Sequence, residues 1–282
     1  MAKTTANMRR FPGAVLSSSA APPLAQRDRV FILTCIGLIT ALAWVYLVHL
    51  GHQMSSAMTY EQAMAAMGMA VNTPWEIGDV LFTFAMWAVM MVGMMAPAAA
   101  PILLLFGAAQ AKRGERRALP AVAMFALGYV GIWIAFSVGA AIAQWGLHGA
   151  AMLSMAMATS SPRLGGTILI AAGAYQLTAL KNRCLTHCRS PLGFLLTNWR
   201  DGQLGAFRMG SRHGIYCLGC CWALMCVLFA VGIMNLLWVA ALTAFVLVEK
   251  IGPKSAVAAR LAGAALIVLG IFTTTHGLFV RN

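Results

Sequence analysis

Long apolar runs separated by short polar segments dominate the chain from residue 30 onward. A helix needs around 20 apolar residues to cross a bilayer core of about 30 Å. The uncharged run over residues 214–248 would be about 52 Å long as one helix, which is too long for a bilayer. Gly232 and Asn235 offer a turn near its middle, so we predict two short spans there, with a re-entrant segment as the alternative. The predicted spans lie near residues 30–50, 80–107, 118–143, 164–180, 214–232, 235–249 and 256–273.

This pattern predicts an all-α polytopic membrane helix bundle with about seven transmembrane helices, or six if the last elements merge. Residues 1–29 contain Pro, Ser and Arg but no strong apolar stretch of the kind a signal peptide needs, so we predict a disordered cytoplasmic tail there. Residues 30–276 then form a single multi-pass membrane domain, and residues 277–282 form a short tail.

The composition supports a membrane protein and excludes an ordinary soluble enzyme. Of the 282 residues, 61% are hydrophobic and 10% are charged, whereas about 25% are charged in an average soluble domain. So few charges could not cover the surface of a soluble protein of this size. The net charge is nevertheless +13, which in a soluble protein would suggest a nucleic-acid partner.

The basic residues are concentrated in alternate segments between the predicted spans. Eighteen of the 20 Lys and Arg residues lie in the N-terminal tail and in residues 108–117, 181–212 and 249–260. Only Arg163 and Arg281 lie in the other segments. By the positive-inside rule the N-terminus is cytoplasmic, and with seven spans the C-terminus is outside. Because topology accounts for the charge, we expect the lipid bilayer and no nucleic acid as a partner.

Candidate metal ligands cluster around the fifth predicted span. Six of the seven cysteines lie between residues 184 and 226. At 100° per residue, His213, Cys217, Cys220 and Cys221 share one helix face, whereas Cys226 points away. Thiolates with an imidazole suit Cu(I) or Zn(II), and thiols at the cytoplasmic end stay reduced. The alternative is that they are buried as small apolar side chains, which we favour for Cys226.

Three more candidate ligands precede this face in the predicted cytoplasmic loop, namely Cys184, His187 and Cys188. Their C-x3-C spacing is less specific than paired C-x2-C motifs. Two possibilities stay open, because these residues could complete the site on the fifth span or form a separate one. Cys35 stands alone in the first span, and there we favour simple packing.

Methionine is the second soft ligand in the chain, with 19 residues. Thioethers prefer Cu(I) among biological metals, but methionine also packs flexibly in helix interfaces. Both interpretations stay open for five methionines on one half of the second span. These residues, called the Met stripe, are Met86, Met90, Met91, Met94 and Met95.

Further methionines crowd the two outer segments that flank the second and third spans, beside His49, His52 and His148. Neutral thioethers suit capture of Cu(I) in an oxidising compartment, and the alternative is an amphipathic interfacial segment. The outer methionines are Met54, Met58, Met64, Met67, Met69, Met152, Met155 and Met157.

Glu249 ends the sixth span, where an acidic side chain is costly unless it is paired or functional. Three roles are open: local neutralisation by Lys250, pairing with the basic 181–212 segment, or service as a metal or proton ligand. The sequence contains no phosphate-binding loop, Ser-His-Asp arrangement or paired catalytic carboxylates, so we expect no enzymatic activity.

Four motifs follow one another along the chain: MWxxMMxGMMxP from Met86, YQLTxxKxxCLxxCxSP from Tyr175, GxxHGxYCLGCCW from Gly210, and VEK from Val248. This series resembles the family of predicted metal-binding integral membrane proteins that is linked to bacterial polyphenol-oxidase operons and whose members are described as copper chaperones. The resemblance covers about residues 30–275.

The resemblance implies copper handling by a multi-pass protein of the bacterial cytoplasmic (inner) membrane, with a cuproenzyme such as a polyphenol oxidase as client. The outer methionines belong to none of these motifs. The ligand residues that the resemblance implies are the Met stripe, Cys184, Cys188, His213, Cys217, Cys220, Cys221 and Glu249.

Our leading hypothesis is a membrane metal-binding protein that binds Cu(I) through Met and Cys/His ligands and delivers or moves it to supply a cuproenzyme. Zinc is the other metal that the ligands suit. Two alternatives belong to different classes. One is a membrane thiol oxidoreductase that uses Cys220–Cys221 and Cys184/Cys188, and the other is a scaffold or assembly factor without metal.

Overall fold

The computed structural model describes residues 24–67, 75–113, 118–150, 152–153, 159–252 and 255–276. Within these ranges all the regular elements are helices, which confirms the all-α prediction. The elements are α1 (Gln26–Ala66), α2 (Ile77–Lys112), α3 (Ala118–Gly149), α4 (Pro162–Gln176), α5 (Ala179–Arg189), α6 (Pro191–Asn198), α7 (Gly202–Val231), α8 (Leu236–Ile251) and α9 (Ser255–His276).

Five helices are long and apolar enough to cross a membrane, and they indicate a membrane protein. They are Gln26–Ser56 of α1, α2, α3, α7 and Ala256–His276 of α9. A helix also lies at each of the other two predicted spans, but α4 and α8 have only 15 and 16 residues. At 1.5 Å per residue they reach about 22–24 Å. The number of crossings and the side of the N-terminus stay predictions.

Three boundaries differ from the sequence prediction. The first helix begins at Gln26, inside the expected tail, and the rest of both tails lies outside the described residues. The outer segment after the first span continues α1 to Ala66, because residues 51–66 lack proline and include four Ala and three Met, which favour helix. The basic 181–212 segment, expected as a loop, holds α5, α6 and the start of α7.

Local caps explain this extra helix in the basic segment. The Thr178 hydroxyl accepts a hydrogen bond from the Lys181 backbone N–H at 3.3 Å, which caps α5. Pro191 occupies the first turn of α6, where a missing N–H costs nothing. The candidate ligands Cys184, His187 and Cys188, which we predicted to lie in a loop, therefore lie on helix α5.

The predicted break in the 214–248 run is confirmed. α7 ends at Val231, and Gly232 adopts a φ of 100°, a conformation that side-chain-bearing residues rarely take. The Asn235 side chain then accepts a hydrogen bond from the Trp238 backbone N–H at 3.4 Å and caps α8. The run is thus two helices joined by a tight turn.

Glycines allow the helices around α7 to pack closely. A Cβ atom on Gly210 of α7 would overlap the Phe125 carbonyl oxygen of α3. In the neighbouring α4–α9 pair, a Cβ atom on Gly173 would lie 2.6 Å from the Gly263 carbonyl oxygen. Such small-residue contacts are a common way to join membrane helices. The close contact at Gly210 joins α7 to α3, and α7 lies at the centre of the bundle, where it also contacts α4, α5 and α8.

Candidate metal centre

The cysteine face of α7 points into the bundle. His213, Cys217, Cys220 and Cys221 are all buried, with at most 4% of each residue exposed. Cys226 is only partly buried, in agreement with its predicted position away from this face. The helical pattern of the sequence therefore identified the inward side of α7 correctly.

Helix α5 brings two more thiols to this face. The Sγ atoms of Cys188 and Cys220 are 4.0 Å apart. The Cys184 sulfur lies against Gly219, so that a Cβ atom at that glycine would be 2.8 Å from it. We call Cys184, Cys188, Cys217, Cys220 and Cys221 the thiol cluster. Of the two possibilities left open for the C-x3-C pair, the geometry favours a shared site.

The Cys184 thiol lies outside the long apolar helices, at the edge of the cluster. Burial raises the pKa of this thiol, and the neighbouring Cys220 raises it further. Cys184 is therefore protonated at neutral pH, and a metal that binds it has to displace a proton.

His187 does not point into the thiol cluster. Its ring stacks on Tyr216 with centroids 4.3 Å apart, and its Nδ1 atom lies 2.9 Å from the Arg183 carbonyl oxygen. The side chain is exposed. His187 and Cys188 are adjacent on α5 and therefore point about 100° apart, which explains why only the cysteine reaches Cys220.

Two polar side chains, Lys250 and Tyr129, converge on the Cys217 sulfur. Neither was predicted from the sequence to lie at this site. The Lys250 Nζ atom lies 2.9 Å from Cys217 Sγ, and the Tyr129 hydroxyl lies 3.0 Å from it. The Lys250 cation at this distance stabilises a negatively charged sulfur. The VEK motif signals Lys250 in the sequence, whereas nothing in the sequence marks Tyr129.

Glu249 forms a buried ion pair with Lys181 of α5. The Lys181 ammonium also donates to the Gln176 side-chain oxygen, and all three side chains are almost fully buried. Of the three roles left open for Glu249, the geometry favours pairing with the basic segment. The Lys250 ammonium lies against Cys217 Sγ, so the direct ion-pair partner of Glu249 is Lys181.

The whole Met stripe is buried, with at most 2% of any member exposed. The stripe spans ten residues of α2, from Met86 to Met95, or about 13.5 Å along the helix. At its last member, the Met95 carbonyl oxygen accepts a hydrogen bond of 3.2 Å from the Tyr129 hydroxyl. Because the same hydroxyl contacts Cys217, Tyr129 joins the end of the Met stripe to the thiol cluster.

His213 has an unused nitrogen. Its Nδ1 atom is buried and has no hydrogen-bond partner among the described residues. The neighbours of the ring are aromatic, with the Phe194 and Tyr129 centroids at 5.1 and 6.0 Å. A buried polar atom without a partner is rare and calls for an explanation, and a metal ligand is one.

The thiols are close together but not yet arranged around an ion. In the described part of the chain, no three His, Cys, Asp or Glu side chains form a ready-made metal site. The Cys220 and Cys221 thiols each donate to the Cys217 carbonyl oxygen at 3.0 Å. Metal binding therefore requires these two side chains to rotate away from the backbone.

The outer methionines lie partly outside the described residues. Met69, Met155 and Met157 are not described, and neither is the Met58 side chain. Met54 packs against the core, whereas Met67 and Met152 are exposed.

Two of the three histidines near the outer methionines contact side chains other than methionine. The His49 ring contacts the Gln53 side chain at 3.0 Å, His52 is exposed, and His148 stacks on Trp75. Copper capture by the outer methionines therefore stays a prediction.

Gly219→Ala tests whether Cys184 belongs to the site. The new methyl group displaces the Cys184 sulfur, and we expect the Cu(I) affinity to fall about three- to tenfold, with little loss of stability because Cys184 is only partly buried. Competition with a Cu(I)-specific chelator measures the affinity. In a Cys184→Ala background Gly219→Ala should have no further effect. An equal effect in both backgrounds would show that the alanine acts through α7 itself.

Comparison with known protein families places most of the chain in a family. Residues 84–273 match the family PpoB2, which is described as a copper chaperone. No curated protein and no solved structure matches the chain. The matched part contains the Met stripe, the thiol cluster, Tyr129 and Lys250, and it leaves out α1 with its outer methionines.

Proposed function

Because the chain belongs to the PpoB2 family of copper chaperones, we propose that it binds Cu(I) at the thiol cluster within the membrane and passes the ion to a cuproenzyme. The observation that carries this proposal is that the Cys188 thiol of α5 lies 4.0 Å from the Cys220 thiol of α7, while the partly buried Lys250 ammonium lies 2.9 Å from Cys217 on the same face of α7. Soft thiolates are the preferred ligands of Cu(I).

Charge balance favours Cu(I) over zinc. Two thiolates and Cu(I) carry a net charge of −1, which the Lys250 ammonium offsets at 2.9 Å from Cys217. A structural Zn²⁺ ion instead needs four protein ligands in a tetrahedron, and the described residues offer no such arrangement. A buried site is stable only when its net charge is close to zero.

The Met stripe supplies a route between the thiol cluster and the far end of α2. Its thioethers are weaker Cu(I) ligands than thiolates, but they are neutral and so tolerate the apolar bundle. Tyr129 joins the two sets through the Met95 carbonyl oxygen and Cys217. Exchange of Cu(I) between ligands of similar softness needs no ATP hydrolysis. We propose that the outer methionines exchange copper with the Met stripe. The ligands allow movement in either direction.

The chemistry of copper transfer and the family resemblance together indicate the kind of client protein. An enzyme that takes copper from a membrane site has to expose its own apo-site at the membrane. We propose a polyphenol oxidase as this enzyme, because the family that the sequence resembles is linked to bacterial polyphenol-oxidase operons. The basic segments favour the cytoplasmic side for the thiol cluster and therefore the bacterial inner membrane as location.

Copper content tests the proposal. Protein purified without oxygen should carry about one Cu(I) per chain by elemental mass spectrometry, and the Cys217→Ser/Cys220→Ser/Cys221→Ser variant should carry almost none. Cys35→Ser/Cys226→Ser is the matched control, because both thiols lie outside the cluster, and it should keep its copper. Equal, near-zero copper in all three proteins would contradict the proposal, and zinc in place of copper would correct the metal.

Met90→Leu/Met94→Leu tests the Met stripe as a route. Leucine preserves the volume and packing of the buried methionines, so the protein should fold and keep its copper. We expect copper transfer across vesicles that contain the variant to slow about tenfold or more, since two soft ligands are lost. A Cu(I)-specific chelator trapped inside the vesicles reports the rate.

The matched control is Met124→Leu in α3, which is partly buried and outside the stripe. It should transfer copper at the wild-type rate. An unchanged rate in the stripe variant would restrict these methionines to a packing role.

A further inference from the structure

A cavity of about 230 Å³ leads into the thiol cluster between α2, α5, α7 and α8. Cys188, Arg189, His213 and Lys250 provide its polar lining, and the remaining lining residues are apolar. None of the lining residues carries a carboxylate, so this cavity, which we call the entry cavity, has two cationic side chains and no anionic one.

The entry cavity connects directly to the copper ligands. Cys188 lies 4.0 Å from the Cys220 sulfur, and Lys250 lies 2.9 Å from the Cys217 sulfur. His213 also lines the cavity, and its buried Nδ1 atom has no hydrogen-bond partner among the described residues. A ligand in the cavity therefore lies against one thiol, Cys188, and against the His213 ring, and the next thiol, Cys220, is 4.0 Å beyond Cys188.

We propose that the entry cavity admits Cu(I) as an anionic complex with low-molecular-weight thiolates, and not as a free cation. This inference rests on the proposed function. A bare Cu⁺ ion meets only repulsion from Arg189 and Lys250, whereas a bis-thiolate complex of charge −1 is attracted by both. The cavity is smaller than the 300–1,000 Å³ of typical ligand pockets, so only the copper–sulfur core of the donor enters.

The exchange step balances without an oxidant. The complex Cu(SR)₂⁻ reacts with two protein thiols to give a protein-bound Cu(S-Cys)₂⁻ and two RSH molecules. Two Cu–S bonds break and two form, each protein thiol gives its proton to a leaving thiolate, and copper stays Cu(I). The net charge of the copper complex is −1 before and after, so Lys250 remains the counter-ion throughout.

Arg189 offers the cleanest test because its side chain is exposed. Arg189→Gln removes the charge at the cavity mouth, and Arg189→Lys keeps it. Arg183→Gln is the matched control, since Arg183 is an exposed arginine on the same helix that does not line the cavity. Each full-length protein receives Cu(I) either as the anionic complex with excess glutathione or as the cationic acetonitrile complex, and stopped-flow measures the rate of loading.

We expect Arg189→Gln to slow loading from the glutathione complex about three- to tenfold and not to slow loading from the acetonitrile complex. Added salt should reduce this difference. Arg189→Lys and Arg183→Gln should both load like the wild type. Thermal unfolding verifies that the variants remain folded, because Arg189 also donates to the Gly252 carbonyl oxygen at 2.7 Å.

Equal slowing with both donors would overturn the inference, because Arg189 then acts through the end of α8 and not through its charge. A rate that depends on neither the donor nor Arg189 would also overturn it, while the proposed function would stand. Failure of the wild type to take copper from either donor would instead contradict the proposed function itself.

Discussion

Lys250→Gln is expected to weaken Cu(I) binding about one hundredfold while the protein still folds. The Lys250 ammonium lies 2.9 Å from Cys217 Sγ and is partly buried. Loss of one member of a buried charge pair costs about 3–5 kcal/mol, and partial exposure of Lys250 reduces this to about 2–3 kcal/mol through solvent screening. That free energy corresponds to roughly 30- to 150-fold in the dissociation constant.

Chelator competition under anaerobic conditions measures this change. Lys112→Gln is the matched control, because it removes the same charge from an exposed position at the end of α2 and should bind copper like the wild type. If Lys250→Gln binds Cu(I) as tightly as the wild type, Lys250 is not the counter-ion of the site. Glutamine removes the charge, adds no soft ligand and fills most of the volume of the lysine side chain, so the packing around Cys217 changes little.

Lys181→Met or Glu249→Gln alone is expected to destabilise the protein by about 3–5 kcal/mol, because each leaves the other side chain unpaired in the bundle. The double variant Lys181→Met/Glu249→Gln should recover much of this loss, since no buried charge then lacks a partner. At roughly 2–4 °C per kcal/mol, the single variants should melt about 6–20 °C lower than the wild type in detergent.

The exposed ion pair of Arg113 and Asp201 supplies the comparison for this experiment. Its side chains are 52% and 79% exposed, so Asp201→Asn should cost less than about 1 kcal/mol. Single variants of Lys181 and Glu249 that melt like Asp201→Asn would show that water reaches the buried pair. A double variant as unstable as the sum of the single ones would show that the two side chains do not act together.

Helix positions followed from the sequence because they depend on local rules. Apolar length located a helix at every predicted span, and the turn residues Gly232 and Asn235 located the break between α7 and α8. The face of α7 that carries Cys217 followed from the 3.6-residue period alone. Segments between the spans were harder to predict. The helices α5 and α6 depend on caps and on packing against α7, which an apolar pattern does not reveal.

The partners of individual side chains could not be predicted in the same way. Whether Glu249 pairs with Lys250 or with Lys181 depends on how far α8 is rotated and shifted against α5. Glycine contacts such as that of Gly210 set these shifts, and they are fixed by the fit of two surfaces. Tyr129 was missed for the same reason, since its hydroxyl meets Cys217 only in the packed bundle.

The adjacent residues Glu249 and Lys250 connect α8 to two other helices, to α5 through Lys181 and to α7 through Cys217. Both contacts come from α8, which follows the cysteine-bearing helices in the chain. Synthesis adds about 5–20 residues per second, so the 33 residues from Cys217 to Lys250 take about 2–7 s. During that interval each nascent chain has its thiols made but not yet held by α8, and a reducing environment has to keep them from oxidation until translation passes residue 250.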